Sequence, residues 1–155
     1  MDKQKLIRFE IPTDDIHIKP YDGFYIGLPN NDKQYLRDML KKYGVPNTKI
    51  QWASYTDKYA HYDFHNDVIY ISTAMNKDNK EFLITVCHEI KHAMDRKKLG
   101  GGDEYQDAYE LEQNMQIYRN KHPYKNNRYE IAAERFGQRE WKKWSKRIGK
   151  IGVRK

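Results

Sequence analysis

The sequence predicts an α+β fold, and three observations carry that prediction: a helical apolar pattern in the first third, three short β-branched and aromatic segments after it, and three further helical patterns to the end. A chain of 155 residues suits one core without disulfide staples. Hydrophobic residues make up 38% and charged residues 33%, which is polar for a globular chain, but thirteen tyrosines and three tryptophans supply buriable area that a disordered chain lacks. With no internal repeat and no low-complexity linker, the elements belong to one domain over 1–137, followed by a basic helix end and tail over 138–155.

Segments 5–11 and 24–28 read as short extended pieces, separated by Pro12, Pro20 and Gly23. Asn31 or Asp32 can cap a helix whose apolar positions Tyr35, Leu36, Met39, Leu40 and Tyr43 fall at helical spacing, and Gly44 with Pro46 ends it. Segments 49–55, 59–65 and 67–72 read as three strands of a small mixed or antiparallel sheet, with antiparallel pairing expected and turns at Thr56-Asp57 and Asn66-Asp67. Asn76 or Asp78 then starts a long helix with Phe82, Leu83, Val86, Ile90 and Ala93 on one face. It runs to about Lys98 and stops at Gly100-Gly101-Gly102. Tyr105, Ala108, Leu111, Met115 and Tyr118 mark the next helix, which Pro123 breaks. Tyr129, Ala132, Ala133, Phe136, Trp144 and Ile148 mark the last.

The net charge of +7 is concentrated at one end, because 138–155 holds eight Lys/Arg against Glu140 alone. The body is therefore close to neutral, and any attraction to polyanions is local, with Lys142, Lys143, Lys146 and Arg147 the candidate nucleic-acid contacts. A solvated helix end is the alternative reading of the same run. Cys87 is the only cysteine, so no intrachain disulfide can form. The basic start is not followed by an apolar stretch long enough for a signal peptide or a membrane span, so a cytoplasmic protein with no membrane partner is expected.

His88-Glu89-Ile90-Lys91-His92 is an H-E-x-x-H sequence inside the long helix. Residues four apart stack one turn over the other, so the two imidazoles can converge on one small ion while Glu89 reaches a water beside it. Two histidines leave a tetrahedral zinc one protein ligand short of a catalytic set, and the third must come from downstream. A metzincin carries a glycine three residues after the second histidine and a further histidine three beyond it. Those positions are Asp95 and Lys98, which excludes that class. Glu104, Glu110, Glu112 and Glu130 remain as acids that could serve.

The stretch from Tyr129 through Glu130, Ala133 and Glu134 to Gly137 resembles the E-x-x-A-[DE]-x-F-[AG] segment of gluzincin-type zinc peptidases, including the ImmA/IrrE-like and HtpX-like branches. The resemblance spans about 67–137 and implies a zincin-like fold, in which an N-terminal helix and a small sheet pack on the H-E-x-x-H helix and two more helices follow. It further implies Zn2+ held by His88, His92 and Glu130, with Glu134 accepting the free ring N–H of a zinc histidine. Glu134 stands where many relatives carry aspartate, one methylene shorter.

The activity so implied is hydrolysis of a peptide bond in an intracellular protein target, by metal-bound water that Glu89 activates. Tyr124, His122 and Tyr129, just before or beside the third ligand, are the candidate oxyanion donors. Strand 67–72 is the expected edge along which a protein or peptide substrate pairs. His61 and His65, four apart on one strand, are expected on one side of it as surface histidines, and Cys87 as a buried small residue. Two other functions compete: a non-catalytic zinc-stabilised interaction module, and a DNA-associated SprT-like protease using the basic tail.

Overall fold

The computed structural model describes residues 8–9, 32–72, 74–76 and 79–150. The described elements are β1 (Arg8–Phe9), α1 (Asp32–Lys42), β2 (Lys49–Ala53), β3 (Ala60–Asp63), β4 (Val68–Ser72), α2 (Asn79–Leu99), α3 (Gly102–Tyr118) and α4 (Arg128–Lys150). The fold is α+β. The expected extended piece at 24–28, the cap at Asn31 and the helix start at Asp78 lie outside the described residues.

The sheet is mixed, in the order β1-β2-β4-β3. β4 runs parallel to β2, with Ile50 opposite Ile69, and antiparallel to β3, with Tyr62 opposite Ile69. This corrects the expectation of antiparallel pairing throughout, and it also corrects the expected edge. The segment 67–72 is an interior strand, and β3 is the outer one. The physical reason lies in Val68-Ile69-Tyr70-Ile71-Ser72, a continuous buried run rather than an alternating one, which suits a strand covered on both faces. Ile69 and Ile71 point into the main core with Leu36, Leu40, Val86 and Ile90, whereas Val68 and Tyr70 join Ala53 and Tyr55 on the other face. β3, by contrast, is only half-buried. Asp67, at φ 59, ties the sheet together, its carboxylate accepting from Thr48 Oγ1 at 2.9 Å and from the Tyr62 hydroxyl at 2.6 Å.

α1 buries Leu36, Met39 and Leu40 and ends at Gly44, whose φ of 79 lets the Val45 N–H return to the Leu40 carbonyl at 2.8 Å. α2 buries Phe82, Leu83, Val86, Cys87, Ile90 and Ala93 and stops at Gly100 and Gly101, both at positive φ. Asn76 does not start it. This side chain is buried instead, and its amide donates to the Tyr59 and Ser72 carbonyls.

α3 reverses its apolar pattern. Leu111, Met115 and Tyr118 are exposed, while Tyr105, Glu112 and Gln116 face inward. The cause is polar: Glu112 accepts from Gln116 Nε2 at 2.8 Å and from the Arg128 N–H at 3.1 Å, so the inner face of α3 serves the start of α4. Asn127 completes that start as its cap, taking the Tyr129 N–H at 2.9 Å. The boundary expected at 137 falls inside α4, which runs unbroken to Lys150.

α4 lies against α2 at close range. A Cβ built on Gly137 meets the Ile84 carbonyl oxygen at 2.8 Å, and Ala133, one turn earlier, is fully buried. Because the obstacle is backbone, Gly137→Ala is expected to force the helices apart and cost about 1–3 kcal/mol, read as a lower urea midpoint. No helix among the described residues is long and apolar enough to cross a membrane.

Candidate metal centre

α2 brings His88 and His92 together one turn apart, with ring centroids 5.0 Å from each other. The first turn of α4 delivers Glu130 between them: its Oε1 lies 2.9 Å from His88 Nε2 and 3.1 Å from His92 Nε2. One ligand atom from each of the three falls within 4.8 Å of the others, a set that could hold a metal ion. Two ligands on a tetrahedral zinc stand about 3.3 Å apart, given metal–ligand bonds of about 2.0–2.1 Å. The observed separations are a few tenths shorter, so a small outward shift of the carboxylate admits an ion. The competing acids are engaged elsewhere or turned away. Glu112 supports α4, Glu110 takes a hydrogen bond from Gln106 at 3.0 Å, and Glu104 is exposed beside Gly101.

The outer nitrogens of the two rings are also held. Glu134 Oε1 is 3.3 Å from His88 Nδ1, so a glutamate at this position reaches the ring. The Tyr105 hydroxyl is 2.9 Å from His92 Nδ1. With both Nδ1 atoms engaged, both Nε2 atoms face the ion position. Tyr109 donates to the second Glu130 oxygen at 2.5 Å. Burial, then the charge of Glu130, pushes the Tyr105 and Tyr109 hydroxyls above their ordinary range, so both stay protonated.

These two tyrosines are absent from the sequence-derived site. Tyr105 marks only an apolar helix face in the sequence, yet their i, i+4 spacing directly after the triple glycine is the same device that pairs His88 with His92. Tyr109→Phe is expected to keep the fold and weaken metal binding by roughly 10- to 100-fold, measured by chelator competition.

Burial alone would lower the His88 pKa, but the hydrogen bond to Glu130 and the charges of Glu89, Glu130 and Glu134 push it up to about 9. Burial works against ionised Glu130 as well, yet its contacts with His88, His92 and Tyr109 hold it well below the usual carboxylate range. Without an ion, the acids around His88 therefore favour a proton on its ring at neutral pH. Glu89 is buried at the floor of the cleft, and that burial raises its pKa while His92 and His88 pull it back.

A cleft of about 250 Å³ opens over the centre, walled by Phe64, Tyr62, Tyr105 and Tyr109. It continues past His88 and Glu89 into a groove of about 640 Å³ that reaches Lys58, Ala60, Lys80 and Thr85. Of the three candidate oxyanion donors, Tyr124 alone lines these spaces, and burial and Glu130 raise the pKa of its hydroxyl. His122 is exposed and caps a turn, its Nδ1 accepting the Tyr124 and Lys125 N–H groups. Tyr129 is buried against Tyr109, and its oxygen takes a hydrogen bond from Arg128.

His61 lines the cleft, whereas His65 sits in the following turn, 4.0 Å from Asp103. Their expected common strand face is absent because β3 ends at Asp63. Cys87 is fully buried, as its helix position requires. Lys142, Lys143 and Lys146 are exposed on α4, with Lys143 paired to Glu140 at 3.1 Å, and the Arg147 side chain lies outside the described residues. Comparison of the chain with models of known protein families, with curated proteins and with solved structures finds no match, so the residues themselves carry the functional argument.

Proposed function

We propose that this chain is a zinc-dependent peptidase of the gluzincin type with a zincin-like fold. The observation that carries the reading is the convergence of His88 Nε2, His92 Nε2 and Glu130 Oε1 beside buried Glu89, on the floor of an open cleft. When bound, zinc supplies Lewis acidity, which polarises a carbonyl and acidifies water. His88, His92 and Glu130 would hold it. Glu89 takes a proton from the attacking water and passes it to the leaving amine, a task suited to a carboxylate whose pKa burial has raised. Tyr124, on the cleft wall, donates to the oxygen on which negative charge develops.

The substrate is an extended protein segment on the outer edge of β3. The Ser72 N–H donates to the Tyr59 carbonyl at 3.0 Å, and antiparallel alternation then turns the backbone groups of Ala60 and Tyr62 away from β4. Ala60 lines both the cleft and the groove, so a strand added there passes the metal centre. The presence of Glu89 and an open cleft count against a purely structural zinc module. The lone thiol of Cys87 suits a reducing, cytoplasmic setting.

The test is digestion of an unstructured-protein peptide library by the zinc-loaded chain. Cleavage abolished by a chelator and restored by zinc is the expected result. A library left intact by protein with one zinc per chain would favour the interaction module.

A further inference from the structure

Arg128, Arg135, Arg139, Lys142 and Lys146 are all exposed on α4. At 100° per residue they fall within an arc of roughly 60°, and at 1.5 Å per residue they extend over about 27 Å. The three acids of the helix lie elsewhere, roughly 120° or more from Arg128 around the axis. Glu130 and Glu134 turn to His88, and Glu140 is buried against Lys143. Among the described residues no carboxylate pairs with Arg135, Arg139, Lys142 or Lys146. The connection from α3 adds exposed Arg119, Lys121 and Lys125, and the sequence has no Asp or Glu between Glu112 and Glu130.

We infer that this stripe binds the phosphate backbone of a nucleic acid without sequence preference. A solvated helix face has no need to gather its charges, and this one collects five cations in a single arc that holds none of the three acids of the helix. At about 3.4 Å of duplex axis per phosphate on each strand, the stripe spans roughly eight phosphates. No large apolar side chain is exposed within the arc, so a peptide partner finds no anchor there, whereas a uniform polyanion gains from each cation alike. Tyr118, 89% exposed, and Tyr124, 52% exposed, flank the adjoining basic connection with rings on which unpaired bases can stack. The stripe starts two residues before Glu130, and Arg135 lines a hollow shared with His88 and Glu134. A bound strand therefore lies beside the cleft. Such binding draws on surface charge alone and does not depend on peptidase activity.

The experiment is fluorescence anisotropy of the full chain with labelled single-stranded and duplex oligonucleotides of several unrelated sequences, between 50 and 300 mM salt. Five contacts give a slope of log affinity on log salt of about −3.5 to −4.5. Replacing Arg139, Lys142 and Lys146 together by Gln is expected to flatten that slope by about 2 to 3, with an unchanged far-UV circular dichroism spectrum and thermal melt as the check on folding. A charge-matched control, Lys41, Lys49 and Lys98 together to Gln, removes three exposed cations off the stripe and should leave most of the binding. No binding at 50 mM salt, equal losses in the two triple variants, or competition by poly-glutamate as strong as that by unlabelled oligonucleotide would each overturn the assignment.

Discussion

Glu89→Gln is expected to keep the fold and one metal ion per chain while lowering peptide hydrolysis by about 10²- to 10⁴-fold, the range of a lost general base. The substitution preserves size and shape in a buried position, and it leaves the His88, His92 and Glu130 ligand atoms untouched. What it removes is an acceptor for a proton. Glutamine cannot take one from water, whereas a carboxylate with a raised pKa can take it and return it to an amine. The pH profile separates this role from a packing role. Wild-type turnover should rise with pH as Glu89 loses its proton, above the ordinary glutamate range because burial raises its pKa. That acid limb should vanish from the residual activity of the variant. Turnover number, metal content and the profile measured on the same preparations decide it, and wild-type turnover in the variant would move proton transfer to another group.

In the candidate metal centre the two histidines were legible because their spacing is local in sequence, whereas Glu130 and Glu134 were marked by the resemblance of their segment to gluzincin-type peptidases. His88 and His92 are one helical turn apart, and Glu130 with Glu134 repeats that spacing on a second helix. The partners of His92 and Glu130 were not legible. Tyr105 and Tyr109 reach the centre only because α3 packs with its polar face inward, so an apolar pattern of Leu111, Met115 and Tyr118 points to the wrong face. That inversion depends on Glu112 meeting the Arg128 N–H, a contact sixteen residues away along the chain.

The expected edge strand was wrong for a related reason. Chain order suggests β3 between β2 and β4, whereas burial on both faces drives Val68–Ser72 into the middle. Its unbroken apolar run is the sequence signal of an interior place, in conflict with its expected role as an edge. The outer strand beside the cleft is therefore β3, and the positions of His88, His92 and Glu130 do not depend on which strand is outermost.

Glu130→Ala should have the largest effect on the metal itself, exceeding the roughly 10- to 100-fold typical of an outer hydrogen-bond partner, because it deletes a ligand atom. A second signature distinguishes this from general loosening of the site. In the wild type, Glu130 and its acidic neighbours hold the His88 pKa at about 9, so an ion entering at neutral pH must displace a proton. Apparent metal affinity should therefore climb about tenfold per pH unit through neutrality and level off as pH approaches the His88 pKa.

For the metal-free protein the sign is the opposite. A histidine with a raised folded-state pKa contributes stability that is fully present below its ordinary value of 6.5 and is lost as pH rises through about 9. Removing Glu130 takes away the hydrogen bond and one of the charges that hold the proton, while the burial that disfavours it remains. The variant should then bind metal weakly with a shallower dependence on pH, and its metal-free form should lose part of the acid-side stabilisation. Chelator competition from pH 6 to 9, together with thermal melts of metal-free protein over the same range, reads both. Weak binding with an unchanged pH slope would mean that His88 draws its proton affinity from Glu89 and Glu134 instead.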